Sequence, residues 1–276
     1  MPPNHIELLR RILQLCPGLS YVQQIIILRN LVGVHYSTCE LRDALKRLNM
    51  TRKHITFMPM ELDLVLRSHY VHLIRPGGPF RAKMFRAIDE SHAVLQEIMR
   101  QLGLSPRGDR AFQRIFKRGG KSEGCSAILS MTFEGVKTVN VYDTAVEGNI
   151  NCTVFEREFL DVILPQMNSY PVDDSVTLLD SSSVHNMQRL FAACQAAGVV
   201  CIFLYPYGFV HNPCELVFGA AKNRLRILDP LSNENSPLAD FFRNCLMTTV
   251  TADMACNFYE HCDICVSAED REWARR

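Results

Sequence analysis

The 276-residue chain balances 30 Lys and Arg against 29 Asp and Glu, for a formal net charge of +1, and is 47% apolar. That is enough chain and enough apolar surface for one large packed domain with a smaller one beside it. No apolar run is long enough to span a bilayer, and Met1-Pro2-Pro3-Asn4-His5 lacks the basic start and apolar centre of a signal peptide. The eleven cysteines are mostly single and odd in number, which suits a reducing compartment better than a disulfide framework. A soluble intracellular protein is expected.

The charge is unevenly spread. Residues 1–57 hold eight Arg and Lys against three acids, so the remaining 219 residues are net acidic. A basic small domain beside an acidic larger one fits nucleic-acid binding joined to a metal site. Ordinary solvated faces would give the same balance, so motifs must decide.

In chain order, residues 5–16 read as an amphipathic helix with Ile6, Leu9, Ile12 and Leu13 on one stripe, stopped by Pro17-Gly18. A very apolar second helix covers about 20–31, with Ser20 as its cap and Gly33 in the turn. The third begins at Ser37-Thr38-Cys39-Glu40, which has capping-box spacing, and carries Leu41, Leu45 and Leu48 on one face. Three short helices with a basic third one make a helix-turn-helix candidate. Arg42, Lys46 and Arg47 would then face DNA, and Arg52 and Lys53 just beyond would hold phosphate. The plain alternative is a three-helix bundle with a charged surface.

Residues 59–75 read as a linking helix with Leu62, Leu66, His69 and Leu73 on one side, and Arg75-Pro76-Gly77-Gly78-Pro79 ends it. A short strand follows at Met84–Asp89. Basic residues crowd the segment from Arg107 to Lys121, either along a nucleic-acid backbone or as a solvated hairpin. Strands at Ser126–Phe133 and Val136–Tyr142 are joined by Glu134-Gly135, as in a hairpin. A helix at 153–167 turns Phe155, Phe159, Val162 and Ile163 to one face. Next come a strand ending in Asp180, a helix at 184–197 with Val184, Met187, Leu190, Phe191 and Cys194 on its stripe, and a strand at 199–204. Continuous apolar runs around one helix indicate a βαβ unit with parallel strands. The fold class is therefore α/β, a mixed sheet flanked by helices, with a small all-α domain in front. The expected segments are 1–57 for the helix-turn-helix, 58–79 for the linker helix, 80–230 for the catalytic domain and 231–276 for a helical tail.

Three carboxylates stand out within that order. Asp89 lies on the first strand, Asp180 at the end of another, and Glu215 in the first turn of the helix opened by Asn212-Pro213. Phosphodiester transfer needs in-line attack on a phosphorus surrounded by negative oxygens. Two divalent ions about 4 Å apart can activate one oxygen and stabilise the other. Mg²⁺ and Mn²⁺ prefer oxygen ligands, and open α/β sheets place ligands at the ends of parallel strands. Each residue also has a local reading: Glu215 as the capping-box partner of Asn212, Asp180 as the start of a capping turn before Ser181-Ser182-Ser183, and Asp89-Glu90 as a helix start.

Three blocks in order resemble the catalytic blocks of the mariner-like superfamily of DDE transposases: Ile88-Asp89-Glu90-Ser91, then Leu179-Asp180-Ser181-Ser182-Ser183-Val184-His185, then Leu204-Tyr205-Pro206-Tyr207-Gly208-Phe209-Val210-His211-Asn212-Pro213-Cys214-Glu215. The 34 residues between Asp180 and Glu215 are typical of that group. The likeness extends through Ser105–Gly108, Leu164–Asn168, Phe218 and Lys222, and Ser37–Lys53 is similar to the second helix-turn-helix of those enzymes. The resemblance implies a ribonuclease-H-like catalytic fold in which Asp89, Asp180 and Glu215 bind Mg²⁺ or Mn²⁺. It also implies double-stranded DNA with terminal inverted repeats as partner, a nuclear location, and room for a homodimer. The chain departs from the pattern at Ser181, where the family usually has Asn. It also departs in the third block, which keeps only Leu204, Pro206, Tyr207, Asn212, Pro213 and Glu215, and only one N-terminal subdomain is expected before the linker. The corresponding alternative is a domesticated or degenerate transposase-derived DNA-binding protein without catalysis.

Two other features read as structural. Cys256, His261, Cys262 and Cys265 offer at most half a zinc site, and free thiols are the simpler reading. His185 reads as a helix-start histidine without a catalytic role. No Gly-rich phosphate loop and no hydrolase triad stands out.

Overall fold

The structure is a computed structural model that describes residues 1–53, 63–94, 104–112, 124–182, 185–228 and 238–275. The chain divides into two units, Met1–Met60 and Glu61–Arg276.

In the first unit the three expected helices are α1 (Pro3–Leu15), α2 (Tyr21–Val32) and α3 (Thr38–Arg47). Ser20 and Ser37 each close a reciprocal capping box with the residue three positions on, Gln23 and Glu40. Each box satisfies two backbone N–H groups that a helix start leaves unpaired. Gly33 ends α2 in the left-handed conformation, φ 69°, which an L side chain would resist. Leu9, Leu13, Ile25, Leu28, Tyr36, Leu41 and Ala44 form the unit's own core, with Ile6, Ile12, Leu45 and Leu48 against it. The apolar stripes read from the sequence are the faces that pack.

The second unit is built on a five-stranded sheet in the order β3-β2-β1-β4-β5. The strands are β1 (Phe85–Val94), β2 (Gly124–Thr132), β3 (Gly135–Asp143), β4 (Val176–Leu179) and β5 (Val200–Phe203). β1, β2 and β3 pair antiparallel, whereas β1, β4 and β5 run parallel. The mixed sheet and the βαβ unit expected around residues 176–204 are both present. β2 is buried along its whole length, as a strand covered on both faces must be.

Helices cover the two faces. On one lie α5 (Cys152–Glu158), continued by a π-helical turn at Phe159–Ile163 and a 3-10 turn at Leu164–Gln166, and α6 (Met187–Ala196). Phe155, Phe159, Ile163, Leu190 and Cys194 pack there on Ile88, Ile128 and Leu179. Met187 and Phe191, which the helical period places on the same stripe, are exposed, so the buried strip of α6 is narrower than the sequence suggests. Pro165 has no N–H to continue the helical ladder, and the backbone leaves regular α geometry just before it.

The other face carries α4 (Leu64–Ile74), α7 (Pro213–Leu228), α8 (Leu238–Thr248), α9 (Ala252–His261) and α10 (Ala268–Ala274), whose buried residues join one cluster with β1 and β2. α4 starts at its Asp63 cap and buries Tyr70 and Ile74. Leu66 and His69, expected on its packed side, are exposed, and Leu62 lies outside the described residues. The C-terminal helices are part of this core. Phe242, Leu246 and Tyr259 are fully buried, and the Tyr259 hydroxyl faces the carbonyls of Phe85 (3.0 Å) on β1 and Met131 (3.2 Å) on β2. Burying each such side chain contributes on the order of 2 kcal/mol. Among the described residues, no helix is long and apolar enough to cross a membrane.

Candidate metal centre and basic groove

Side chains alternate between the faces of a strand, and this sets the site. On β1, Phe85 and Ala87 join the core under α7, and Ile88 joins the core under α5 and α6. By the same alternation Asp89 falls on the α7 side and Glu90 on the other. Ile88 pairs with Leu179 in the parallel register, so Asp89, within β1, and Asp180, just past the end of β4, follow that pair side by side. The paired residues just before them lie roughly 4.8 Å apart along the hydrogen-bonding direction. β4 ends there, because Asp180 turns to accept the Ser182 N–H on its Oδ1 (3.3 Å). The helix that follows is capped by Asn186, so Asp180 is not its cap.

Asp89 is nearly buried. Its Oδ1 accepts the Glu90 N–H (2.8 Å) and its Oδ2 accepts the Asn212 side-chain amide (2.8 Å). Burial pushes its carboxyl well above the usual carboxylate range, and the charges of Glu215, Glu90 and Asp180 push the same way. A helix start at Asp89 is ruled out, since the residue lies within β1.

Glu215 is the third residue of α7. A capping box would have its carboxylate accept the Asn212 N–H. That N–H instead donates to the Phe209 carbonyl (3.0 Å), and the Asn212 Oδ1 accepts the Cys214 N–H (3.1 Å). Among the described residues, the Glu215 carboxylate makes no side-chain hydrogen bond. Burial raises its pKa, Lys222 two turns along the same helix lowers it, and Asp180 raises it. Asp89, Asp180 and Glu215 therefore lie within electrostatic reach of one another. Oxygen-only donors that repel each other, graded from buried Asp89 through half-buried Asp180 to exposed Glu215, suit a hard divalent cation.

His185 is a feature that sequence reasoning set aside. Its ring is fully buried, stacks on Phe155 at 4.0 Å, and sets Nδ1 2.9 Å from Asp180 Oδ1 and Nε2 2.8 Å from Glu90 Oε1. Burial alone would lower its pKa, but the bonds to Asp180 and Glu90 outweigh that and raise it to about 10. Asn212 and Glu90 were also missed as members of the site. Both contacts join residues about a hundred positions apart, so only adjacency to Asp89 and Asp180 in sequence could have signalled them.

In the first unit, four of the five residues expected to meet DNA line one groove of about 890 Å³: Arg42, Lys46, Arg52 and Lys53. The Arg42 and Arg52 guanidinium groups lie 5.6 and 5.7 Å from the centroid of the Tyr21 ring. Such cation–π contacts preorganise two flexible cations. Arg47 is exposed but does not line this groove. In the basic segment farther on, Arg107 and Arg110 are exposed, and Arg114, Lys117, Arg118 and Lys121 lie outside the described residues. Among the described residues, the only clustered metal-ligand set is Glu90, Asp180 and His185, within 4.8 Å of one another, so the C-terminal cysteines do not form one. All eleven cysteines are free thiols.

No protein-family model matches the chain, and neither does any curated protein sequence. Solved structures do. The Mos1 transposase paired-end complex with left transposon end is 12% identical over 99% of this chain and 81% of that one, at a TM-score of 0.55. The Mos1 strand transfer complex is 12% identical over 98% and 79%, at 0.54. The Mos1 mariner paired-end complex with Mn is 12% identical over 98% and 80%, at 0.52. The fold is thus similar to that of the Mos1 mariner transposase, with the ribonuclease-H-like mixed sheet expected from the sequence.

Proposed function

We propose that this chain is a DNA endonuclease and strand transferase in which Asp89, Asp180 and Glu215 hold Mg²⁺ or Mn²⁺. One observation carries the reading: carboxylates from the middle of β1, from just past the end of the adjacent parallel β4 and from the first turn of α7 lie within electrostatic reach of one another, with too few cations to balance them. The transposon-end, strand-transfer and Mn-containing complexes of the Mos1 structures support it. When bound, the divalent ions activate the attacking oxygen and stabilise the leaving oxygen of an in-line displacement at phosphorus.

The chain's own residues prepare that site. Asn212 ties Asp89 to the start of α7, so the strand and the helix that carry two of the ligands move together. Lys222 offsets part of the negative charge around Glu215. The burial of Asp89 on the sheet face under α7 limits water there, which strengthens every electrostatic interaction it makes. Double-stranded DNA ending in inverted repeats is the substrate, and the groove lined by Arg42, Lys46, Arg52 and Lys53, with Arg47 beside it on α3, takes its backbone in the manner of a helix-turn-helix. Chromosomal DNA as substrate implies the nucleus as the place of action, and a homodimer would bring two ends together.

The test is cleavage of a labelled duplex carrying the repeats that flank the gene, with Mg²⁺, Mn²⁺ or EDTA. Metal-dependent nicking and a joined product, both lost in Asp180→Asn, are expected. Cleavage without joining would mean a nuclease. Binding without cleavage in either metal would mean a DNA-binding relic and would overturn the enzyme.

A further inference from the structure

We propose that Glu90 and His185 are positioning residues, a brace that fixes the Asp180 carboxylate so that one of its oxygens is free for a divalent ion; this rests on the metal-site reading above. Asp180 needs such help. It lies past the last residue of β4, where no ladder holds it, and its side chain is 38% exposed. A free aspartate there would sample several rotamers, each presenting the oxygens differently. The imidazole removes that freedom. One nitrogen meets Asp180 Oδ1 and the other meets Glu90 Oε1, and the Ser182 N–H takes the same Oδ1, which leaves Oδ2 uncommitted by these bonds.

The brace is itself held from both ends. Phe155, fully buried in the core under α5, stacks on the ring at an interplanar angle of 25°. Glu90 is fixed by its place on β1, one residue after Asp89. Because β1 alternates, the strand sends one carboxylate to the metal and the next, on the opposite face, to the brace. A single strand thus sets Asp89 directly and Asp180 through His185. The same three groups could be read as a second metal set, since they cluster within 4.8 Å. The ring, however, spans the two carboxylates with one nitrogen to each, and an ion would have to displace one of those bonds.

Partners that orient a ligand typically change metal affinity by tenfold to a hundredfold when removed. The experiment is a Mn²⁺ titration of the full chain followed by the loss of the free-ion EPR signal, with circular dichroism to check folding. Wild type is expected to bind Mn²⁺. His185→Ala and Glu90→Ala should each weaken binding by about tenfold or more, and the double variant should be no worse than His185→Ala alone. Glu90→Gln keeps an oxygen acceptor for the ring and should stay close to wild type. Glu90 is at the edge of the core, so Glu90→Ala reports even if His185→Ala fails to fold. Unchanged affinity in a folded Glu90→Ala would overturn the brace and leave the metal site standing. A loss in Glu90→Gln as deep as in Glu90→Ala would make Glu90 a ligand and also overturn it. A wild-type protein that binds no Mn²⁺ would remove the metal site itself, and the brace with it.

Discussion

The two charged regions of this protein are built in opposite ways. The acidic centre, set within β1, just past β4 and at the start of α7, is anchored by buried Asp89, bonded at both oxygens, and by half-buried Asp180, bonded to a buried ring. The basic groove of the first unit is exposed, its shape set by capped helices and a tyrosine that meets two arginines. Buried like charges are costly and are held only by specific partners, whereas exposed like charges stay hydrated and cost little. The first arrangement suits a ligand held at fixed geometry. The second suits a long polyanion whose grip is the sum of many weak contacts.

That contrast can be broken most sharply at the acidic centre. Asp89→Asn should lower DNA cleavage by on the order of a thousandfold, since several kcal/mol of metal-assisted stabilisation are at stake. Binding of DNA by the basic groove should be unaffected, as a filter-binding or anisotropy titration would show. An equal loss of both would mean that the two regions are not separate functions.

The next largest effect concerns stability within the second unit. Arg86 is almost fully buried and pairs with Asp174 through two parallel bonds, leading into β4. Asp174→Ala would strand a buried guanidinium and should cost about 3–5 kcal/mol in a denaturant melt. The helical unit should melt as before. A shift in its transition as well would show that the units fold as one.

Smaller effects belong to the groove. Removing one phosphate-contacting cation lowers the slope of log affinity against log salt by about one. Arg52→Ala and Lys46→Ala should each do so, and Arg47→Ala, outside the groove, should change the slope less. Equal changes at all three would return the contact surface to the whole exposed face of α3. Smallest of all, Ser37→Ala removes one capping box and should cost about 1 kcal/mol in the first unit alone.

How far the sequence could be read follows the same contrast. The helices of the first unit were legible because Ser20, Gly33 and Ser37 mark their ends and the leucine stripes match their packed faces. The strands were legible as apolar runs, and Asp89, Asp180 and Glu215 as carboxylates in a familiar order. The groove could not be foreseen, since it depends on Tyr21 of one helix meeting Arg42 of another and Arg52 beyond it. Nor could the brace, because Glu90 and His185 meet only once β1 and β4 are paired. α4 misled because apolar residues surround it on most sides, so its period did not single out Tyr70 and Ile74. Residues 238–274 gave only helix signals, and their role as a cover for β1 and β2 rests on long-range contacts such as Tyr259 to Phe85.

The most direct test of the metal centre is a crystal soaked in Mn²⁺ and measured at the manganese edge. Anomalous density bounded by the carboxylates of Asp89, Asp180 and Glu215, with Glu90 and His185 outside the coordination sphere, is expected. Density held by Glu90 and His185 instead, or none at a concentration that supports cleavage, would contradict it.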